Sequence, residues 1–157
     1  MAEIKPELDE IVQEIDIAAP RERVFRALTD PEQIKAWWGS DDTYRITVWG
    51  MDLRVGGLWR SEGLNAAGQP FHVEGRYLEV DPPRALSFTW KASWRDMPTT
   101  TVRILLESRG RVTHVIWKHS GFAGDQGSLK DHRGGLPSVL GWLKLHAEKE
   151  HGKGEVR

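Results

Sequence analysis

The side chains of this chain best suited to moving protons or holding a metal are six histidines, at positions 72, 114, 119, 132, 146 and 151. An imidazole titrates near neutrality and can donate, accept or ligate. Zinc hydrolases place two such rings at i and i+4 on a helix beside a glutamate. No pair here has that spacing. His114 and His119 are five apart on a stretch that alternates like a strand, so they point to opposite faces. His119 reads as a polar contact inside a pocket or as a structural histidine. No metal and no other cofactor is implied. The chain has no cysteine, which excludes disulfides, thiolate nucleophiles and cysteine-ligated zinc. Serine-nucleophile motifs are absent. Gly121-Phe122-Ala123-Gly124 lacks the lysine of a phosphate loop. Asp41-Asp42 and Glu148/Glu150 read as solvated charges, so no catalytic residue is assigned.

The other chemistry-bearing set is aromatic. Eight tryptophans lie among 157 residues, at positions 37, 38, 49, 59, 90, 94, 117 and 142. Each brings a large apolar area and an N–H that wants a partner. They fill cores, line pockets or anchor interfaces. Net charge is −1, which argues against a sequence-independent nucleic-acid binder with its basic face. No apolar run approaches the ~18 residues that span a bilayer. The stretch Met1 to Pro6 has no apolar core of a secretory signal. The expectation is a cytoplasmic protein, one domain over 8–149 and a disordered tail over 150–157, either monomer or homodimer.

The elements that must position these residues follow from hydrophobic period. Ile11–Ile17 alternates as a strand. Pro20 opens a short helix with the stripe Val24, Phe25 and Leu28. Asp30 caps and Pro31 starts a second, with Ile34, Trp37 and Trp38 at i, i+3, i+4 and Gly39 as its stop. From Thr43 the period drops to two. Strands are expected at Tyr44–Trp49, Gly57–Gly63, Phe71–Val80, Ala85–Ala92, Thr100–Glu107 and Val112–His119, joined by short turns such as Asp96-Met97-Pro98. Short links imply an antiparallel meander. The stretch 121–135 holds five glycines and reads as loop, a candidate gate. Leu136, Val139, Leu140, Leu143 and Ala147 then make a helical stripe, within a helix over about 128–149 that would run about 30 Å. Pro137 should start or kink it. The class is α+β: seven antiparallel strands, two short helices after the first, and one long C-terminal helix covering the sheet's apolar face.

Several motifs occur in order: Trp37-Trp38-Gly39, Asp52 to Gly57, Val73 to Arg84, Phe88-Thr89-Trp90, His119-Ser120-Gly121-Phe122 and Gly135 to Leu140. Together they resemble the family of the activator of heat-shock-protein-90 ATPase homologue, within the START-like (SRPBCC) superfamily. The resemblance spans about residues 8 to 149. It implies the helix-grip fold shared with the birch pollen allergen, a curved sheet wrapped on the C-terminal helix. It also implies a deep cavity holding an apolar small molecule. The superfamily hosts lipid carriers, hormone binders, polyketide cyclases and co-chaperone domains, so fold alone does not select a function.

Strand alternation puts Trp59 with Ser61 on one face. It does the same for Leu86, Phe88 and Trp90, and for Thr113, Val115, Trp117 and His119. Facing Leu136, Leu140 and Leu143, the residues Trp59, Phe88, Trp90, Trp117 and His119 would wall a pocket. Trp37 and Trp38 point about 100° apart on a helix, so one of them is expected at its mouth. Trp142 falls off the helical stripe, toward solvent or a second subunit. The leading function is binding of a small hydrophobic or aromatic molecule. The alternatives are a co-chaperone-like domain acting on a chaperone partner, and an enzyme of polyketide cyclase or hydrolase type.

Overall fold

The computed structural model describes residues 9–93, 98–123 and 125–155. Trp94, the turn residues Asp96-Met97 and the chain ends 1–8 and 156–157 lie outside them. The elements are β1 (Glu10–Ile17), α1 (Arg21–Thr29), α2 (Pro31–Trp37), β2 (Tyr44–Met51), β3 (Leu58–Asn65), β4 (Pro70–Asp81), β5 (Ala85–Ala92), β6 (Thr100–Arg109), β7 (Val112–Ser120) and α3 (Gln126–Glu155). All seven strands join one antiparallel sheet, ordered β1-β7-β6-β5-β4-β3-β2. Strands β2 to β7 form the expected meander. Because α1 and α2 intervene, β1 crosses over to pair with β7 rather than β2.

The two short helices form where the sequence signals them. Pro20 stands one place earlier than expected, as the residue before α1, with φ −69° and ψ 155°. Its carbonyl accepts from Arg23 and Val24. Asp30 caps α2 as predicted, its carboxylate accepting from the Glu32 N–H at 3.0 Å. Gly39 then turns the chain with φ +116°, where a side chain would strike the Tyr44 carbonyl. Only glycine takes that backbone at no steric cost.

The stretch 121–135 is not a long loop. α3 begins at Gln126, so the candidate gate shrinks to the short connection 121–125. Two features override the low helix propensity of its glycines. Asp125 accepts from the Ser128 N–H at 3.1 Å and from its hydroxyl at 2.8 Å. Phe122 and Leu129, both essentially unexposed, anchor either side of that cap in the core.

α3 passes Pro137 without ending. A proline leaves the carbonyl four residues earlier without its helical donor. That carbonyl belongs to Arg133, and Gln13 Nε2 on β1 donates to it at 3.4 Å. Further along, Lys144 Nζ donates to the Asp16 carbonyl at 2.8 Å, and Glu148 accepts from the Ala18 N–H at 2.8 Å. The helix continues to Glu155, beyond the end expected near 149. Leu136, Val139, Leu140, Leu143 and Ala147 are buried as one stripe against the core.

Candidate ligand cavity

Trp37, Trp38, Trp49, Trp59, Trp90 and Trp117 form one connected cluster. Trp37 and Trp38 stack with ring centroids 5.1 Å apart, and Trp38 reaches Trp90 at 6.0 Å, Trp49 at 5.8 Å and Trp117 at 6.1 Å. Trp49 lies on Trp59 at 5.0 Å, and Trp59 meets Trp90 at 5.7 Å. Both Trp37 and Trp38 are buried, at 4% and 7% exposure. This corrects the expectation that one of them stays at the mouth. The helix ends at Trp37, and Trp38 adopts φ −85° and ψ 102°. The 100° argument holds only within a helix; the extended backbone at Trp38 swings its ring inward beside Trp37.

This cluster is filled on one side and open on the other. Around Trp59, Phe88, Tyr77 and Leu86 the void is only about 10 Å³. On the other side, between the sheet and α3, lies a cavity of about 380 Å³. Small-molecule sites typically span about 300–1,000 Å³. Strand β7 supplies Trp117 and His119, β5 supplies Trp90, and α3 supplies Leu136. Trp38 closes one wall from the end of α2. These five residues of the expected set therefore meet in one cavity. The other five do not border it. Trp37 is fixed by its N–H to the Ala27 carbonyl at 2.8 Å. Trp59 and Phe88 border the filled side. Leu140 and Leu143 are core, at 3% and 0% exposure.

Several wall residues were not singled out by the sequence. Trp49 and Ile46 come from β2, and Tyr44 from its start. Val73 and Val102 come from the middle of the sheet, and Val139 and Gly135 from α3. The polar contributions are Ser61, Asn65, Asp131 and His132. Asn65 and Asp131 are exposed, so they mark where the cavity meets solvent. Trp142, expected at solvent or a second subunit, is half-buried and packs edge-on against Tyr44 at 5.8 Å.

Burial controls the polar groups here. Trp38 donates its indole N–H to the Tyr44 hydroxyl at 3.0 Å, and burial raises that phenol's pKa. Trp59 donates to the Thr89 carbonyl at 3.2 Å. It fits because Gly75 lies beneath it, where a Cβ would come within 2.7 Å of the indole nitrogen. The Trp90 N–H is buried without an acceptor among the described residues. His119 is 4% exposed and lies 2.6 Å from the Thr100 hydroxyl through Nε2. Burial, aided by the neighbouring His132 ring at 5.0 Å, pushes its pKa down to about 3. It is a neutral imidazole at ordinary pH. On the opposite face of β7, His114 sits 2.6 Å from both Glu14 and Asp16 of β1. Among the described residues no group of histidines and carboxylates could hold a metal, and no helix is long and apolar enough to cross a membrane.

A family model described as "Activator of Hsp90 ATPase homolog 1-like protein" matches residues 18–148. The chain belongs to that family. Its likeness to solved structures agrees. A Chromobacterium violaceum protein is 26% identical, covers 89% of this chain and 97% of its own, and superposes with a TM-score of 0.77. A Nitrosomonas europaea protein is 24% identical over 95% of this chain and 99% of its own, with a TM-score of 0.78. The AHSA1-like protein from Aeromonas hydrophila is 22% identical over 90% and 93%, with a TM-score of 0.75. The last two likenesses concern the fold, which is the helix grip of the START-like superfamily. No protein of curated function matches the chain.

Proposed function

We propose that this family member binds a small hydrophobic, aromatic molecule in the cavity between its sheet and α3. One observation carries the reading: a space of about 380 Å³ remains beside six packed tryptophans. Filling such a space with side chains is the ordinary outcome of close packing. Its walls are mostly apolar, with Trp38, Trp49, Trp90 and Trp117 presenting indole surface. Burying one apolar group the size of a side chain yields about 1.5–3 kcal/mol. A two-ring ligand gains about 3–6 kcal/mol from burial alone, and stacking on several indoles at about 0.5–1.5 kcal/mol each carries it toward the roughly 8 kcal/mol of micromolar affinity without any chemistry.

Intrinsic tryptophan fluorescence during titration with fatty acids, flavonoids and polycyclic aromatics tests this. Saturable quenching by an aromatic supports it. No response to any of them, together with a crystal structure showing side chains filling the space, defeats it.

A second reading, a co-chaperone-like domain, draws on the family description. It is also favoured by exposed apolar side chains at the β2–β3 turn, Val55 at 66% and Leu58 at 61%. A chaperone ATPase assay separates the two: turnover raised by the protein, and lost in Val55→Ser/Leu58→Ser, would favour it. Unchanged turnover removes it.

A further inference from the structure

The polar end of the cavity says which kind of aromatic it takes. His119 reaches the cavity from β7, with Thr100 of β6 behind it. The Thr100 hydroxyl has a single proton. Its oxygen lies 3.3 Å from the Trp90 carbonyl, to which it donates, and 2.6 Å from His119 Nε2. When the hydroxyl proton goes to that carbonyl, the short contact to His119 is made by the imidazole donating from Nε2. A neutral imidazole has one N–H and one bare nitrogen. The proton on Nε2 leaves Nδ1 as a lone-pair acceptor, the ring nitrogen available to whatever fills the cavity.

The Trp90 ring stands edge-on to His119 with centroids 5.8 Å apart, and its N–H is buried without an acceptor among the described residues. Trp90 and His119 therefore wall the same end of the cavity. A hydroxylated aromatic matches this end: its O–H proton goes to Nδ1 and its ring packs against the indole. Charge points the same way. The one acidic side chain among the described wall residues is Asp131, and none of those wall residues is a lysine or arginine. A carboxylate ligand would be buried with no lysine or arginine among these residues to pair with, which is costly.

We propose that the ligand is an uncharged hydroxylated aromatic, a phenol in the broad sense, whose O–H is received by His119 Nδ1. Thr100 acts as the positioning residue that fixes the imidazole tautomer. The inference rests on the cavity-binding reading above and narrows it.

Three probes with one ring system separate the two claims: naphthol, methoxynaphthalene and naphthoate, each titrated calorimetrically into the full chain. Leaving a buried acceptor unpaired lowers affinity by about tenfold or more. Naphthol should therefore bind at least about tenfold tighter than methoxynaphthalene, with naphthoate weakest. Methoxynaphthalene or naphthoate binding as tightly as naphthol overturns the inference and leaves cavity binding standing. No saturable binding by any of the three overturns both. His119→Phe keeps the apolar volume and should keep methoxynaphthalene binding while abolishing naphthol's advantage. Thr100→Val leaves the imidazole in place and frees its tautomer, so the naphthol preference should shrink there too. An undiminished preference in Thr100→Val shows that Thr100 does not set the acceptor, and an undiminished preference in His119→Phe removes His119 from the contact.

Discussion

Trp49 and Trp59 lie flat on one another, their ring centroids 5.0 Å apart and their planes within 10°. The pair divides filled core from open space. Trp59 belongs only to the tightly packed side, whereas Trp49 borders that side and also the cavity. Two tryptophans in contact thus have different tasks.

The division predicts different costs. Trp59 is 2% exposed and its N–H is paired, so Trp59→Ala should destabilise the fold by about 3–5 kcal/mol. Trp90→Ala removes a partly exposed ring whose N–H has no acceptor among the described residues. It should cost less stability and more ligand affinity. Urea denaturation beside ligand titration of both variants checks the crossing of the two effects.

The strands of this fold are legible wherever alternation is strict. Trp59 with Ser61, and Trp117 with His119, face inward as their period of two requires. Trp49 escaped because β2 breaks that period. The pairing with β3 shifts between Ile46 and Val48, leaving Thr47 as an extra residue. Thr47 and Val48 both point outward, and Ile46 and Trp49, three apart, both point inward. A bulge of this kind moves side chains between faces, and no regular period anticipates it. The start of α3 was hidden for another reason: its glycines lower propensity locally, while the Asp125 cap and the burial of Phe122 and Leu129 are tertiary facts. Of the expected pocket set, Leu140 and Leu143 lie on the right stripe but deeper than the cavity, a depth that spacing does not encode.

Two neighbouring helix glycines offer a second test. Gly134 and Gly135 lie in α3, and a Cβ at either would meet nothing within 4 Å. Alanine at a helical position gains about 0.5–1 kcal/mol over glycine. Gly134→Ala and Gly135→Ala should both raise the melting temperature. Gly135 borders the cavity and Gly134 does not, so only Gly135→Ala should also weaken ligand binding.

His114 makes stability depend on pH from the outer face of the sheet. Its hydrogen bond to Asp16, with that to Glu14, raises its pKa above the usual 6.5. The same bond to His114 lowers Asp16 below its usual 3.8. A raised histidine contributes stability that is complete below its unfolded value and fades as pH climbs through the folded one. A lowered aspartate contributes above its unfolded value and fades as pH falls through the folded one. The clasp between β1 and β7 is therefore fully present between the two usual values. Melting temperature measured across pH should fall less steeply on the alkaline side of that window in His114→Gln than in the natural chain.

His119 acts with the opposite sign. The unfolded ring takes a proton near 6.5, and the buried one resists it down to about 3. The unfolded state thus gains protons first, and stability declines as pH falls between those values. His119→Gln should make that acid limb shallower by up to one proton's share, about 1.4 kcal/mol per pH unit. Denaturant midpoints at a series of acidic pH values measure it, and an unchanged limb would show that His119 is protonated in the fold.

The most direct measurement is calorimetric titration of naphthol into the natural chain and into Val139→Trp. Val139 borders the cavity from α3, so a tryptophan there occupies the space. The natural chain should show saturable one-to-one binding near about micromolar affinity. The variant should remain folded, with stability altered by no more than about 3 kcal/mol, and show no binding. Equal binding by both, or no saturable heat in the natural chain, would contradict a ligand held in this cavity.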